Sequence, residues 1–551
     1  MVGVGLGQSS SQVRPDDQPG SLRGTVVNAV TRAPIARALV FTPGNRFATL
    51  TDGEGHFEFA LPKPAGDGQR GFIQNQGYTF SPSAVLARKP GFLDDPNGRA
   101  QVDANSTGEI SISLLPEAVI KGRVIPSEID PSLAITVRIF SRMVPEGVPQ
   151  WMQTGATRAN SNGEFRFAEL LPGTYKLVTN EAMDNDPATT VPGGPQFGFP
   201  PVYFPGVADF AAAGTIQLTA GQTVQADIPL TRQPYFPVRI PVANAELNPN
   251  LNVTVSLTGH HDSIYSLGYN AEEKRIEGLL PNGKYLVEAE TPGENSATGA
   301  VHLTVAGAPA EGPSLTLIPN SSIPMHVTEQ FTSNDPNNIS MWNVSGRSFQ
   351  VHGPRRYLQI SAQSAEDFGR HGAALRPPTG PNDETLLLEN LPPGRYRLSP
   401  HSSRGYVAAA TMGGIDLLHE PFVVASGSSA TIEITMRDDT AELDATVAGI
   451  TRPAMPESAL SFPSQPAWVY CIPLSDGPGQ FQQFWVSPDG KINPAALPPG
   501  TYRLMAFKTQ QPNLPYRDAE AMRAYETKGQ VVHLPAGQKT SVQLQIISST
   551  E

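Results

Sequence analysis

The fold is decided by one stretch, Asn162-Gly163-Glu164-Phe165-Arg166-Phe167-Ala168-Glu169-Leu170-Leu171-Pro172-Gly173-Thr174-Tyr175-Lys176-Leu177. Its first half alternates apolar and polar residues, which is the period of a β-strand with one buried face. Pro172-Gly173 predicts a turn, because proline fixes one backbone angle and glycine permits another. A second strand follows. Since the apolar face bearing Phe165 and Phe167 must meet another apolar face, the stretch predicts a β-sandwich.

The Leu-Pro-Gly-x-Tyr part of this stretch recurs along the chain as Leu-Pro-x-Gly-x-Tyr, with one more residue between proline and glycine. Its glycines stand at positions 173, 283, 394 and 500, so they are 110, 111 and 106 residues apart. The N-terminal part lacks this segment, but Gly55-His56-Phe57 there corresponds to Gly163-Glu164-Phe165 at a separation of 108 residues. A period near 110 residues matches an immunoglobulin-like sandwich and exceeds the 20–50 residues of a solenoid repeat. The sequence therefore predicts an all-β tandem array of about five immunoglobulin-like (prealbumin-like) modules.

Each unit ends in a second landmark, a strand whose alternate residues are apolar. These residues are Ile110, Ile112 and Leu114; Ile228 and Leu230; Leu315 and Leu317; Ile432, Ile434 and Met436; and Val542, Leu544 and Ile546. The predicted ranges are an N-terminal tail or signal remnant at 1–20 and modules 1 to 5 at 21–116, 117–232, 233–319, 320–438 and 439–551. Each closing strand runs within a few residues into the next opening strand. We therefore expect a semi-rigid string of modules.

Composition excludes several classes of protein. The 54 prolines and 51 glycines favour an all-β chain, and 39% hydrophobic residues in patterned runs favour folded cores over disorder. The net charge of −12, without any Lys/Arg block, argues against a nucleic-acid partner. Cys471 is the single cysteine, so no internal disulfide forms. No apolar run reaches the roughly 18–20 residues of a membrane-spanning helix.

Motifs for catalysis and metal binding are missing from the sequence. His260-His261-Asp262 is the densest group of potential ligands, but it lies in a predicted loop with no further histidine at a recognisable spacing. His419-Glu420 continues into proline rather than a zinc motif. Neither a Gly-x-Ser-x-Gly elbow nor a phosphate-binding loop occurs. We expect no catalytic residues, no cofactor and no metal, and hence a protein that is not an enzyme.

The first module resembles the carboxypeptidase regulatory-like domain and its relatives, the Cna B-type repeat and transthyretin-like sandwiches. The resemblance rests on segments in the family order, Gly24-Thr25-Val26-Val27, Ala33-Pro34-Ile35-Ala36-Arg37-Ala38-Leu39-Val40, Thr51-Asp52-Gly53-Glu54-Gly55-His56-Phe57 and Lys89-Pro90-Gly91-Phe92. It implies a seven- or eight-stranded sandwich of the carbohydrate-binding-like type. Fold alone does not establish function.

Two sets of aromatic residues are candidates for function. The repeated tyrosines either pack inward with a satisfied hydroxyl or line a ligand surface, and we favour the inward position. Exposed aromatic rings could stack on a ligand, but core filling is the favoured interpretation; the candidates are Trp151, Tyr203, Phe204, Trp342, Trp468 and Trp485.

Three functions are compatible with these observations. The first is a non-catalytic structural, adhesive or ligand-binding array outside the cytoplasm (periplasmic, secreted or on the cell surface), with another surface protein as a partner. The second is a protein that binds polysaccharide at the cell surface. The third is an accessory subunit of an exported enzyme or outer-membrane transporter. The sequence leaves the oligomeric state open.

Overall fold

Nearly every element in the structure, a computed structural model, is a β-strand. It describes residues 20–42, 48–61, 73–75, 78–80, 85–93, 110–127, 135–184, 195–244, 250–258, 264–293, 295–333, 340–344, 347–366, 368, 371–380, 383–427, 430–450, 467–474, 477–487, 489–511 and 513–547. No helix within these ranges is long and apolar enough to cross a membrane. We use the five predicted ranges as the names of the modules.

The strands follow one another along the chain with few interruptions. Module 1 holds β1 (Gly20–Asn28), β2 (Leu39–Phe41), β3 (Ala48–Leu50), β4 (His56–Leu61), β5 (Ile73–Asn75), β6 (Tyr78–Phe80), β7 (Leu86–Arg88) and β8 (Ile110–Leu114). Module 2 holds β9 (Ala118–Pro126), β10 (Thr136–Met143), β11 (Gln150–Arg158), β12 (Glu164–Leu170), β13 (Gly173–Thr179), β14 (Ala182–Met183), β15 (Gln196–Phe199), β16 (Ile216–Leu218), β17 (Thr223–Gln225) and β18 (Ile228–Leu230).

The next two modules continue the series. Module 3 holds β19 (Gln233–Ala243), β20 (Asn252–Leu257), β21 (Gly268–Asn270), β22 (Arg275–Pro281), β23 (Gly283–Glu290), β24 (Ala297–Val305), β25 (Ala310–Glu311), β26 (Leu315–Thr316) and β27 (Ile318–Pro319). Module 4 holds β28 (Ser321–Gln330), β29 (Ser340–Val344), β30 (Arg347–Val351), β31 (Leu358–Ser364), β32 (Gly372–Ala374), β33 (Leu387–Leu391), β34 (Gly394–Ser402), β35 (Tyr406–Met412), β36 (Ile415–Asp416), β37 (Phe422–Val424) and β38 (Ile432–Arg437).

Module 5 adds a short helix to its strands. It holds β39 (Ala441–Ala448), β40 (Ala467–Pro473), β41 (Gln482–Val486), β42 (Ala495–Leu497), β43 (Gly500–Phe507), α1 (Ala519–Met522), β44 (Gln530–Leu534) and β45 (Lys539–Ile547). Single 3-10 turns lie at Pro145–Gly147, Gly353–Arg356 and Arg523–Tyr525.

One pairing pattern repeats in all five modules and confirms the predicted fold. In every module the opening strand pairs antiparallel with a later strand of the same module. The pairs are β1 with β4, β9 with β12, β19 with β22, β28 with β33 and β39 with β42. The same opening strands pair in parallel with the closing strands β8, β18, β26, β38 and β45. A second sheet covers the apolar face; in module 4 its order is β32-β31-β34-β37. The chain is a tandem array of immunoglobulin-like sandwiches.

The repeated tyrosines face the core and close the turn before them. Each is at most 6% exposed, and each hydroxyl donates to the carbonyl oxygen four residues earlier. The bonds are Tyr175 to Leu171 (2.7 Å), Tyr285 to Pro281 (2.8 Å), Tyr396 to Pro392 (2.9 Å) and Tyr502 to Pro498 (2.8 Å). The inward position is therefore confirmed in all four modules.

The motif glycine has a different role from the one expected. The expected permissive backbone angle is wrong for Gly173, Gly283 and Gly394, because none of them has a positive φ. The glycine instead leaves space for the tyrosine. A Cβ on Gly283 would lie 2.8 Å from the hydroxyl oxygen of Tyr285.

Replacing Tyr285 with phenylalanine should lower the free energy of unfolding by about 1–3 kcal/mol, because the buried Pro281 carbonyl loses its donor. Urea denaturation measures this loss, and the half-buried Tyr269→Phe is the control. A variant as stable as the parent would show that the hydroxyl bond does not hold the turn.

Modules 2 and 3 share a sheet. The hairpin formed by β14 and β15 belongs to the predicted range of module 2, yet β15 pairs with β19 of module 3 through Gln196↔Tyr235 and Gly198↔Gln233. Beside this pairing, Arg232 forms an ion pair with Asp184 at 2.7 Å, with side-chain exposures of 16% and 5%.

A buried carboxyl group lies at this junction. Glu181 of module 2 accepts a hydrogen bond from the backbone N–H of Ser266 of module 3 at 3.2 Å. Tyr235, Tyr265 and Tyr285 form its electrostatic surroundings. Burial raises the pKa of Glu181 to about 7, because the charged form is poorly solvated there.

Stability should therefore depend on pH through Glu181. The folded-state pKa of Glu181 lies above the unfolded value of 4.5, so the protonated carboxyl group favours the folded state. This contribution to the unfolding free energy is complete below about pH 4.5 and is lost as the pH rises through 7. In the parent protein, Glu181 should lower the unfolding free energy by up to roughly 3 kcal/mol between pH 5 and 8. Glu181→Gln should remove this part of the fall. Urea denaturation across this range tests it, with exposed Glu272→Gln as the control. An unchanged pH profile would exclude Glu181 as the titrating group.

Modules 2, 4 and 5 also touch although they are not consecutive. Phe140 of module 2 meets Phe368 of module 4 edge-on, with ring centroids 5.5 Å apart. The backbone N–H of Arg517 in module 5 donates to the carbonyl of Gly147 in module 2 at 3.1 Å. The string of modules 2 to 5 is therefore not linear, because contacts between modules distant in the sequence fold the array back on itself.

Gly147→Val should separate modules 2 and 5. Gly147 has φ +77°, and an added Cβ would lie 2.7 Å from carbon atoms of the Tyr516 ring. Small-angle scattering should show a larger radius of gyration, while circular dichroism keeps the β signal. Gly307→Val is the matched control, because φ there is +75° and a Cβ would meet nothing within 4 Å. Equal radii for both variants would contradict the contact.

Candidate ligand-binding cleft

The floor of the candidate site is the outer face of a sheet in module 4. In the antiparallel pairing of β31 with β34, Gln359 stands opposite His401 and Ser361 opposite Ser399. Ser361 also pairs with Ala374 of β32. Directly paired residues point to the same side of a sheet. The result is a flat row of small side chains, Ala374, Ser361 and Ser399, bordered by a glutamine and a histidine.

Module 5 forms the opposite wall. It contributes residues 479–483 at the start of β41 and a second segment after β43, with Gln510, Gln511, Leu514, Tyr516 and Arg517. The rings of Phe481 and Tyr516 stack with centroids 4.0 Å apart and an interplanar angle of 1°. Buried Leu514 anchors the second segment in a small core beneath it.

Module 2 closes the third side with the turn between β10 and β11. Val144, Glu146 and Gly147 of this turn line the space. Since Gly147 lies against one face of the Tyr516 ring and Phe481 against the other, the wall from module 5 is held in place from both sides.

These three walls enclose a cavity of about 1150 Å³, called the cleft below. Its volume is in the upper range of small-molecule sites. Amide side chains are its most frequent polar lining, at Gln359, Gln480, Gln482, Gln483, Gln510 and Gln511. Such amides both donate and accept hydrogen bonds, so the cleft can bind groups that do the same.

Charged residues lie among these amides. Arg397, Arg517, Glu146 and Glu420 line the cleft. Burial lowers the pKa of Arg397, and repulsion by Arg517 adds to the effect, whereas Glu420 opposes it. Tyr516 is kept neutral by burial, which raises its pKa.

Two of the six predicted aromatic candidates come together beside the cleft. Trp468 of β40 pairs across the strands with Trp485 of β41. Trp485 is 39% exposed, whereas Trp468 is half-buried and packs against the small core that contains Leu514. Gln483, which lines the cleft, lies two residues before Trp485 and therefore on the same face of β41.

Two other candidates are buried. Trp151 is 6% exposed and Tyr203 fully buried, so both rings fill cores, which is the interpretation that the sequence favoured. Their rings pack edge-on against Phe210, at 5.6 and 5.5 Å between centroids. The amine of Lys176 donates to the Phe210 carbonyl at 2.7 Å and lies 4.2 Å from that ring's centroid. These aromatic residues stabilise the region where modules 2, 3 and 4 meet.

The last two candidates add nothing to the cleft as described. Phe204 is half-buried and packs against the core of module 2. Trp342 lies in β29, and its side chain is outside the described residues.

The other predicted chemical groups do not assemble into a centre. Among the residues described, no three His, Cys, Asp or Glu side chains are placed to bind one metal ion. Asp52, a faint candidate for calcium, uses one carboxylate oxygen to accept the backbone N–H groups of Glu54 (2.9 Å) and His56 (2.8 Å) within its own turn. Cys471 is a free, buried thiol whose pKa is raised by burial. His260 and His261 lie outside the described residues.

Comparisons with known proteins do not assign a function to the cleft. No family model and no curated protein matches the chain. Among solved structures it is similar to the Bacillus anthracis TIE protein, at 11% identity over 75% of this chain and 68% of that chain, with a TM-score of 0.14. A streptococcal ancillary pilin shares 11% identity over 54% and 99%, with a TM-score of 0.18. Two B repeat units of the Staphylococcus aureus collagen-binding protein share 11% identity over 76% and 100%, with a TM-score of 0.12.

These TM-scores are too low for an argument about fold or function. The assignment of tandem sandwiches therefore rests on the strand pairing described above. The resemblance of module 1 to the carboxypeptidase regulatory-like and Cna B-type families stays a prediction.

Proposed function

We propose that this chain is a non-catalytic binding protein that acts outside the cytoplasm, with structural or adhesive modules that also build one ligand site. The cleft supports this proposal best, because three modules at distant positions in the chain contribute its walls. The proposal includes the division of the chain into the five module ranges predicted from the sequence. The resemblance of module 1 to surface-protein modules motivates the location.

The cleft makes this function testable. Gly147→Val, which should move modules 2 and 5 apart, should abolish binding of a ligand captured by the intact protein. Gly307→Val should keep it. Isothermal titration of both variants measures the difference. Unchanged affinity with the modules separated would place binding on a single module and contradict a shared cleft.

Polysaccharide is a more specific candidate ligand. The flat row of Ala374, Ser361 and Ser399 leaves room for an extended chain, and the amides suit its hydroxyl groups. Trp485 adds an exposed ring at the end of the cleft, where a sugar face can stack.

Trp485→Ala should weaken polysaccharide binding roughly tenfold through loss of stacking. Affinity electrophoresis in gels containing single soluble polysaccharides measures it. Leu171→Ala, at a residue 60% exposed in module 2, is the control. If no polysaccharide retards the parent protein, this candidate is wrong; if Trp485→Ala is retarded as strongly as the parent, the ring is not part of the site.

A further inference from the structure

One charged group in the cleft lacks a partner. Arg397 lies on β34, next to Ser399 on the outer face of the sheet, and its side chain is half-buried. Its Nε atom is fully buried and has no hydrogen-bond partner among the described residues. The Nε atom of Arg376 in the same module is also buried without a partner, but the terminal nitrogens of Arg376 form ion pairs with Asp383 at 2.7 Å and Glu389 at 3.5 Å. Arg397 therefore has no visible role in holding the module together.

The surroundings of Arg397 leave its charge unbalanced. Arg517 and Arg395 repel it, and Glu420 attracts it only through space, without a hydrogen bond. A partly buried charge without a partner is unfavourable, because it has lost water and gained nothing in return. An anionic group on a ligand would remove this cost.

We infer that the cleft binds an acidic polysaccharide, with a sugar carboxylate at the guanidinium of Arg397. This inference rests on the proposed function. A guanidinium and a carboxylate are both planar and can form two parallel hydrogen bonds. Arg517, on the opposite wall, adds positive charge to the same part of the cleft.

The shape of the cleft favours a sugar chain over an acidic peptide. Its floor is the face of a sheet, and the central strands β31 and β34 are paired on both sides, so a peptide cannot add to either of them as a further strand. The small side chains of Ser361 and Ser399 form no deep apolar pocket for a peptide side chain. Amides and hydroxyls instead match the hydroxyl groups of a sugar chain.

Matched pairs of soluble polymers separate charge from backbone. Polygalacturonate is compared with its methyl ester, and carboxymethylcellulose with hydroxyethylcellulose; dextran sulfate and poly-glutamate complete the panel. With the parent protein, isothermal titration should give at least tenfold tighter binding for one carboxylated polymer than for its neutral counterpart. This preference should shrink as salt is added, since screening weakens charge pairing.

Arg397→Gln should reduce the ratio of acidic to neutral polymer affinity about tenfold or more, because the charge pair with the carboxylate is lost. Arg397→Lys keeps the charge but loses the planar pair of donors, so it should be intermediate. The matched control is Arg395→Gln, which removes a nearby charge on the same strand that does not line the cleft. Circular dichroism and thermal melting establish that each variant folds; should Arg397→Gln unfold, Arg397→Lys and Arg517→Gln replace it.

Each outcome decides a different statement. Equal binding of acidic and neutral polymers overturns the inference and leaves polysaccharide binding intact, whereas binding of no polysaccharide overturns both. If poly-glutamate binds as tightly as the best sugar polymer and Arg397→Gln abolishes that binding, the choice of a sugar is overturned. Dextran sulfate bound more tightly than every carboxylated polymer overturns the choice of a carboxylate.

Discussion

The modules depend on one short hydrogen bond, from a buried tyrosine hydroxyl to the carbonyl oxygen four residues earlier. In modules 2 to 5 this bond ties together the two strands that flank a turn of proline and glycine. It satisfies two polar groups that would otherwise be buried without partners, which is why the residue is tyrosine rather than phenylalanine. The tight fit of the Tyr285 hydroxyl against Gly283 explains the accompanying glycine.

The cleft is a product of packing between modules rather than of any single module. Its floor, wall and third side come from sequence positions as distant as Gly147, Ser399 and Gln483. Contacts such as the one between Gly147 and Tyr516 hold these parts together, and each involves only a few side chains. The Glu181 junction adds a pH-dependent contact between modules 2 and 3. The geometry of the cleft is therefore sensitive to changes far from its lining.

The fold could be predicted from the sequence because its signals are local. The alternation around Phe165, the turn glycines and the closing strands each lie within a few residues, and together they define the period. The cleft could not be predicted, because the register that places Trp468 opposite Trp485 and the contacts between modules join residues far apart in the chain. Residue type alone could not separate buried Trp151 and Tyr203 from exposed Trp485, since a large ring suits a core as well as a ligand surface. Only the three-dimensional structure shows that Arg397 lacks a partner.

The parallel pairing of first and last strands gives each module a mechanical property. The chain enters at the start of β39 and leaves at the end of β45, and because these strands run side by side in the same direction, those two points lie at opposite ends of the pair. A pull on the ends therefore acts along the strands and loads all the hydrogen bonds between them in shear. They must break together rather than one after another, so the opening strand acts as a clamp against stretching.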